Sequence, residues 1–333
     1  MRELHLGDKT VPAIGLGTWH MGNSTATRAK EIKAIQAGID AGATVIDTAE
    51  MYGNGRSESL VGEAIANIDR EKLFLIDKVL PSNASADRMS HSLDTSLKLL
   101  GTDYVDLYLY HWRGAVPLSE TVETLQSLQQ QGKIKHWGVS NFDLPDMKEL
   151  LALPGGDQVA ANEDLYNLGS RGIEYSLLPW QRKQGIPLIA YTPVAAGDER
   201  GQLINNPAVK EVAEAHQATP WQILLAWAIR DGSTLAIPQS GDPKHAVDNI
   251  KAASLTLNED DLAKIDKAFA ELEGGADFAQ VMLKYTENEY VAGSDSYGGC
   301  ETFRTKGQLI STKHSSSKGD WSSTVKEIYS LLK

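Results

Sequence analysis

Short apolar runs that end on a polar residue recur along most of the chain. In order, they are VIDTAEMY, LFLIDK, VDLYLYHW, HWGVSN, QVAANE, PLIAYT and TLAIPQS. Segments with helical character separate them, and the repeat is roughly thirty residues, the size of a strand–helix–strand unit. This alternation predicts an α/β protein with the architecture of a (β/α)₈ barrel.

The boundaries of the elements follow from periodicity and turn residues. A hairpin with Gly7 and Asp8 as its turn precedes the first barrel strand in PAIGLGTW. Ser57 is expected to cap the second helix. Further helices are expected at about residues 27–41, 89–100, 118–131, 147–151, 174–184, 207–216, 221–230 and 243–253, and from 257.

The helical rhythm stops after Phe269. The pattern therefore divides the chain into a barrel of residues 1–269 and a C-terminal appendage of residues 270–333, in which short strands and turns are expected. At its end, an apolar stripe with helical spacing predicts a helix that packs on another surface. The stripe is made of Trp321, Val325, Ile328 and Leu332.

Size and charge narrow the function classes. The 333 residues exceed the about 250 that one such barrel needs. A formal net charge of −12 makes nucleic acid and anionic membrane poor partners. Cys300 is the single cysteine, so an intramolecular disulfide is impossible. With neither a signal peptide nor an apolar span in the sequence, we expect a cytoplasmic protein. The sequence leaves the oligomeric state open, with a monomer expected.

Four polar residues form a candidate catalytic group. Asp47, Lys78 and His111 end three successive strands, and Tyr52 follows Asp47 in the same loop. Strand ends converge at the C-terminal face of a barrel. An ammonium near a phenol should lower the phenol's pKa, so that Tyr52 can donate a proton to a carbonyl oxygen near neutral pH. Asp47 would hold Lys78, His111 would orient the carbonyl, and a cofactor must supply the hydride.

Each of these residues also has an ordinary structural explanation. An aspartate after a strand often caps a loop, a tyrosine in a glycine-rich loop often packs, and a lysine or histidine at a strand end is often solvated. Three ionisable residues at the ends of successive buried strands are harder to explain structurally, because burying charge is costly.

Several ordered segments resemble the aldo-keto reductase superfamily, and in particular the bacterial methylglyoxal reductase and 2,5-diketo-D-gluconate reductase group. They are GATVIDTAEMYGNGRSESLVG, IDKVLP, VDLYLYHW, WGVSNF and NEDLYNLGSRGIEYSLLPW, within residues 1–269. The resemblance implies a (β/α)₈ barrel, NADPH, and reduction of small aldehydes or ketones. Its catalytic tetrad corresponds to Asp47, Tyr52, Lys78 and His111.

The resemblance also implies cofactor and substrate contacts. Ser140 and Asn141 would hold the nicotinamide carboxamide, with Tyr191 stacked on the ring. Trp19 and Trp112 would line the substrate pocket. The remaining cofactor positions correspond to Glu163, Gln239, Ser240, His245 and Asn249.

Two of these positions depart from the family pattern. Glu163 stands where the family has glutamine, and an ionised carboxylate accepts hydrogen bonds but cannot donate them. Gln239 stands where the family has a lysine that binds the 2′-phosphate of NADPH, so NADH becomes a possible cofactor. Lys244 and Lys251 are nearby cations that could substitute.

The sequence leaves three functions open. The first is a reductase, favoured by the four intact residues. The second is a non-catalytic NADP(H)-binding regulatory protein of the same fold, for which Glu163 and Gln239 are the arguments. The third is a metal-dependent hydrolase or isomerase, which is disfavoured because no His-x-His or mixed carboxylate and histidine set ends the strands.

Overall fold

A computed structural model describes the backbone of residues 1–174, 176–270, 288–295, 298–305 and 308–314. Side chains are described for residues 1–174, 176–197 and 200–269. The predicted stripe from Trp321 to Leu332 lies outside these residues.

Eight parallel strands lie side by side in chain order and form a (β/α)₈ barrel, which confirms the predicted fold class. They are β3 (Leu16–Gly17), β4 (Val45–Asp47), β5 (Phe74–Val79), β6 (Val105–Tyr110), β7 (Ile134–Ser140), β8 (Asn162–Leu165), β9 (Leu188–Tyr191) and β10 (Thr234–Ala236). Bridges between Ile14 and Ala236 and between Gly17 and Gln239 join the first strand to the last. A Cβ at Gly17 would lie 2.5 Å from the Ile237 carbonyl oxygen, so only glycine allows this close approach.

The predicted N-terminal hairpin is present. Strands β1 (Glu3–Leu6) and β2 (Lys9–Pro12) pair antiparallel, and the turn glycine Gly7 has a φ of 61°. Lys9 Nζ lies 2.8 Å from Asp106 Oδ1, close to the start of β6. The hairpin is therefore tied to the end of the barrel opposite the carboxyl ends of the strands.

Helices follow most strands, close to the predicted ranges. They are α1 (Thr25–Asp40), α2 (Arg56–Ile65), α3 (Ala86–Leu100), α4 (Leu118–Gln130), α5 (Leu144–Ala152), α6 (Leu177–Gln184), α7 (Gly197–Asn205), α8 (Pro207–Ala215), α9 (Pro220–Ala228), α10 (Pro243–Lys251) and α11 (Glu259–Ala270). Helix α7 was not predicted, because its sequence GDERGQLIN resembles a turn. The prediction that Ser57 caps α2 is wrong, since the N-cap is Gly55 and the Ser57 hydroxyl donates to the Thr18 carbonyl oxygen at 3.0 Å.

The core explains why the central strands are almost uniformly apolar. Every residue of β5 and β6 is buried, because one face of each strand lines the barrel interior and the other packs under helices. Polar side chains on these strands are therefore exceptional, and Asp77, Lys78 and Asp106 are among them.

Part of the C-terminal region forms an antiparallel sheet. Strands β11 (Asn288–Asp295), β12 (Gly298–Thr305) and β13 (Gln308–His314) pair in that order, which agrees with the short strands and turns expected there. Among the described residues, no helix combines the length and apolar character needed to cross a membrane.

Candidate active site

Lys78 lies at the centre of a group of buried polar side chains near the carboxyl ends of the strands. Its Nζ is 2.6 Å from Asp47 Oδ2, 3.2 Å from the Tyr52 hydroxyl oxygen and 3.4 Å from Glu163 Oε1. It also donates to the Thr48 carbonyl oxygen at 3.2 Å. Because β4 and β5 are adjacent and parallel, the ends of these two strands place Asp47 beside Lys78.

The ammonium of Lys78 is stabilised by its neighbours rather than by water. Burial alone would lower the pKa of Lys78, but the attraction of Asp47 and Glu163 outweighs it and raises the pKa well above its usual value. Lys78 therefore stays charged at physiological pH. Burial raises the pKa of Asp47, and Lys78 opposes that effect.

Tyr52 is less acidic than the sequence suggested. Burial is the largest effect and raises the pKa of Tyr52, while Lys78 lowers it and the carboxyls of Asp47 and Glu163 raise it. The expectation that Lys78 would bring the phenol's pKa below its ordinary value is therefore wrong for the cofactor-free protein, because burial outweighs the single ammonium. Tyr52 keeps its proton across the physiological range.

His111 completes the predicted tetrad. Its ring meets the Tyr52 ring edge-on, with centroids 5.9 Å apart. Burial, followed by repulsion from Lys78, lowers the pKa of His111 well below its usual value, so the imidazole is neutral. Its Nδ1 atom is buried and makes no hydrogen bond of good geometry within the described residues.

A second group of polar side chains lies at the ends of β7 and β9. Tyr191 donates to Asn141 Oδ1 at 2.9 Å, and Asn141 Nδ2 donates to Ser140 Oγ and to the His111 carbonyl oxygen, both at 3.0 Å. Asn141 has a φ of 57°, a left-handed conformation that asparagine tolerates better than most residues. These bonds fix the position of the Asn141 amide.

Both groups border one cleft of about 430 Å³. Trp19 and Trp112 also line it, and 42% of the Trp19 side chain is exposed. Trp19 stacks on His20 with ring centroids 4.3 Å apart, and Trp112 contacts the His111 ring at 4.7 Å. The cleft is thus apolar on its outer walls and polar at its floor, as small-molecule sites usually are.

The sequence did not single out several of the lining residues, among them His20, Met51 and Arg200. Arg200 lies in α7, the helix that was not predicted, and its guanidinium is 5.8 Å from the Trp221 ring centre. The GDER segment gave no signal, because a charged loop after a strand usually means only a solvated surface.

The remaining predicted cofactor residues extend from the cleft towards α10. Gln239 lines the cleft, whereas Ser240 lies beyond it and donates to the Asp242 carbonyl oxygen at 3.3 Å. Asp242 caps α10 and pairs with Lys30 at 2.8 Å. His245 is exposed in the first turn of α10, and Asn249 is half-buried one turn later. In the described part of the chain, no group of three or more His, Cys, Asp or Glu residues is arranged to hold a metal ion.

Comparison with known proteins agrees with this geometry. The aldo/keto reductase family model matches residues 13–270. The chain is 47% identical over 269 residues to methylglyoxal reductase YeaE of Escherichia coli K12, covering 80% of this chain and 94% of that protein. It is 33% identical over 257 residues to methylglyoxal reductase DkgB of Salmonella typhi, covering 76% and 91%.

The fold also matches solved structures. A crystal structure of an aldo/keto reductase from Klebsiella pneumoniae, in complex with NADP and acetate, superposes with a TM-score of 0.79 at 45% identity, covering 80% of this chain and 95% of that one. With the family model spanning most of the barrel and close relatives almost fully covered, the chain belongs to the aldo/keto reductase family and is an oxidoreductase.

Proposed function

We propose that this protein reduces small aldehydes and ketones to alcohols with NADPH, and that methylglyoxal is one of its substrates. The observation that carries the proposal is the Lys78 ammonium hydrogen-bonded to the Tyr52 hydroxyl at the floor of the cleft. The relatives named as methylglyoxal reductases support the choice of substrate.

The residues of the cleft suit a nicotinamide. Ser140 and Asn141 present a hydroxyl and an amide to its carboxamide, and Tyr191 offers an aromatic face to its ring. Towards α10, Gln239, Ser240, His245 and Asn249 would contact the adenosine end. The reduced nicotinamide supplies the hydride that no side chain can provide.

The proton comes from Tyr52. Because burial raises the pKa of Tyr52, the hydroxyl is fully protonated before reaction and can donate to the substrate's carbonyl oxygen. The phenolate that forms is then stabilised by Lys78, which Asp47 holds charged and in place. The neutral imidazole of His111 can donate a hydrogen bond to the same oxygen and fix the orientation of the carbonyl.

Arg200 and His20 extend the site at its entrance. Arg200 is an exposed cation beside the cleft, placed to attract the anionic phosphates of a dinucleotide. The walls formed by Trp19 and Trp112 favour small or flat substrates.

Steady-state kinetics test the proposal. Methylglyoxal and an aromatic aldehyde are offered to the full-length protein with NADPH and, separately, with NADH. We expect saturable oxidation of NADPH with both aldehydes. A protein that quenches its tryptophan fluorescence on binding NADPH but turns over neither aldehyde would instead be a regulatory binding protein of the same fold.

The cofactor preference has its own test. In the Gln239→Lys variant, an ammonium near the 2′-phosphate should tighten NADPH by about 1.5–3 kcal/mol, the usual range for a charged hydrogen bond, while NADH affinity barely changes. Dissociation constants from fluorescence quenching measure both. Equal responses of the two cofactors would show that Gln239 does not face the 2′ position. The matched control is Gln130→Lys, which adds the same charge at an exposed position of α4 outside the cleft.

A further inference from the structure

Glu163 is a buried ionisable group that the reduction mechanism does not use. It lies on β8 at the cleft wall and pairs in register with Ser140 of β7. Its carbonyl oxygen accepts from the Asn141 backbone N–H at 2.8 Å. The side chain is thus adjacent to the two residues assigned to the nicotinamide carboxamide.

The charges around Glu163 do not balance if every group is ionised. Asp47, Lys78 and Glu163 are 1%, 0% and 2% exposed, so two carboxyls share one ammonium without water. Lys78 Nζ is closer to Asp47, at 2.6 Å, than to Glu163, at 3.4 Å. Glu163 Oε2 is buried and takes no hydrogen bond of good geometry from the described residues. An ionised oxygen in that position would be strongly disfavoured.

A proton on Glu163 resolves this imbalance. A protonated Glu163 can donate a hydrogen bond to the Asp47 carboxylate, with which it shares Lys78. Burial, the Asp47 charge and this hydrogen bond raise the pKa of Glu163 well above its usual value, although Lys78 opposes them. With Glu163 neutral, the site holds one anion, Asp47, and one cation, Lys78.

In the part of the chain whose side chains are described, Lys78 is the counter-charge that forms an ion pair with Glu163. The titratable groups that face Glu163 are Asp47 of β4, Lys78 of β5, Tyr52 of the following loop, His111 after β6 and Tyr191 of β9. Burial raises the pKa of Tyr52 and lowers that of His111, so both side chains are neutral at physiological pH. Arg200 and His20 lie at the cleft as well, but on other segments of its wall. Because Asp47 binds Lys78 more closely than Glu163 does, a positive charge brought into the cleft would further stabilise ionised Glu163.

We propose that Glu163 discriminates between the two redox states of the cofactor by changing its own protonation, an inference that rests on the proposed function. Beside the reduced, uncharged nicotinamide, Glu163 stays a neutral acid and can donate a hydrogen bond. Beside the oxidised, positively charged ring, it ionises and releases its proton to solvent. The balanced equilibrium is protein–COOH plus NADP⁺ giving protein–COO⁻·NADP⁺ plus H⁺.

The coupling between cofactor binding and protonation of Glu163 predicts the direction in which affinity changes with pH. Binding of NADP⁺ releases a proton and strengthens as pH rises, whereas binding of NADPH does not release one. The ratio of the two dissociation constants, NADP⁺ to NADPH, should fall by up to about tenfold per pH unit while Glu163 titrates. The phosphates of the two dinucleotides are the same, so their titration cancels in the ratio.

Fluorescence titrations of the full-length protein with NADPH and with NADP⁺ test this pH dependence. They are carried out from mildly acidic to alkaline pH. The wild-type ratio should fall with pH, and the Glu163→Gln ratio should not, because an amide cannot ionise. Glu58→Gln, the same change in a buried residue outside the cleft, should keep the wild-type dependence. Glu163→Met provides a second non-ionisable side chain if glutamine disturbs folding.

A second measurement needs no cofactor. The infrared band of a protonated carboxylic acid should be present in the cofactor-free wild type and reduced in Glu163→Gln. The inference is overturned if this difference is absent, if the wild-type ratio is independent of pH, or if Glu163→Gln keeps the wild-type slope. Failure of both dinucleotides to bind at any pH would remove the proposed function itself.

Discussion

Strand β5 buries an ionisable residue on each of its two faces. The one inside the barrel is paired with opposite charge beside the cleft, whereas the one under the helices has no such pair among the residues that the structure describes. Lys78 faces the barrel interior and binds Asp47, Tyr52 and Glu163. Asp77, the preceding residue, faces the surrounding helices, where burial and then the charge of Glu58 raise its pKa most. One residue of displacement along a strand moves a side chain from the reaction cleft to the packing layer.

Asp77, Glu58 and Glu50 form an outer acidic group between β5 and the surrounding helices. Unlike the carboxyls inside the barrel, this group has no lysine comparable to Lys78 in the described part of the chain. Within the described residues, no basic side chain forms an ion pair with Asp77 or Glu58, and both Asp77 oxygens lack hydrogen bonds of good geometry. Glu50 alone is well satisfied, by the Leu80 N–H, the Asn83 amide and the Ser92 hydroxyl. Burial raises the pKa of Asp77 well above its usual value, so a neutral acid is the stable form.

The comparison shows that burial alone does not identify a functional carboxyl. Asp77 is as deeply buried as Asp47, and the pKa values of both are raised. The inner group, made of Asp47, Lys78 and Tyr52, differs in three ways from the outer one. It borders a cleft, its carboxylate pairs with a cation, and its tyrosine presents a proton donor to that cleft. Perturbed pKa values become evidence of chemistry only together with such geometry.

We expect the largest difference between the two faces of β5 in kcat, when one tyrosine hydroxyl is removed on each side. Tyr52→Phe removes the proposed acid and should lower kcat for methylglyoxal by ~10²–10⁴-fold, with little change in NADPH binding. Tyr108→Phe is the matched control, since Tyr108 is fully buried beside the outer group and its hydroxyl lacks a hydrogen bond of good geometry. It should leave kcat unchanged. Near-normal turnover by Tyr52→Phe would exclude Tyr52 as the proton donor.

Lys78→Met tests the inner ion pair through stability. Removing the Lys78 ammonium leaves the Asp47 carboxylate without the counter-ion it has in the described structure, and breaking a buried pair typically costs about 3–5 kcal/mol. Urea unfolding at alkaline pH should show the loss, with an unchanged m-value. Adding Asp47→Asn to Lys78→Met removes the uncompensated carboxylate and should recover part of it. A double variant no more stable than the single one would mean that Asp47 is already protonated without Lys78.

The sequence predicted the barrel well because its signal is repeated. Runs such as VDLYLYHW, fully buried as a strand, can only be accommodated between two apolar layers, and eight such units allow few other folds. Asp47, Lys78 and His111 were predictable as neighbours because each ends a successive strand. Tyr52 was predicted because it follows Asp47 in the same loop, and the resemblance supported a position that a glycine-rich loop alone leaves ambiguous.

Other features depend on burial and on charges that come together only in the folded protein, and these could not be predicted from the sequence. The acidity of Tyr52 depends on burial against one ammonium and two carboxyls, a sum that a sequence does not contain. Arg200 reaches the cleft through α7, whose polar sequence lacks helical periodicity. The acidic group around Asp77 was missed because its members come from a strand, a loop and a helix that meet only in the fold.

Glu58→Gln should produce the smallest effect, and one of opposite sign to that of Lys78→Met. Burial raises the pKa of Glu58 from 4.5 to about 7. Between these values the folded protein binds more protons than the unfolded chain, so stability falls as pH rises from 4.5 to 7 and the penalty is complete above 7. At about 1.4 kcal/mol per pH unit, the penalty is about 3 kcal/mol.

Glutamine keeps the shape of the side chain and removes this penalty. Urea unfolding of Glu58→Gln should therefore show about 3 kcal/mol more stability than wild type at alkaline pH, and little difference near pH 4.5, where Glu58 is protonated in the folded protein. Because Glu58 does not border the cleft, kcat should not change. A constant stability difference at every pH would show that packing, and not the buried charge, distinguishes the outer group from the inner one.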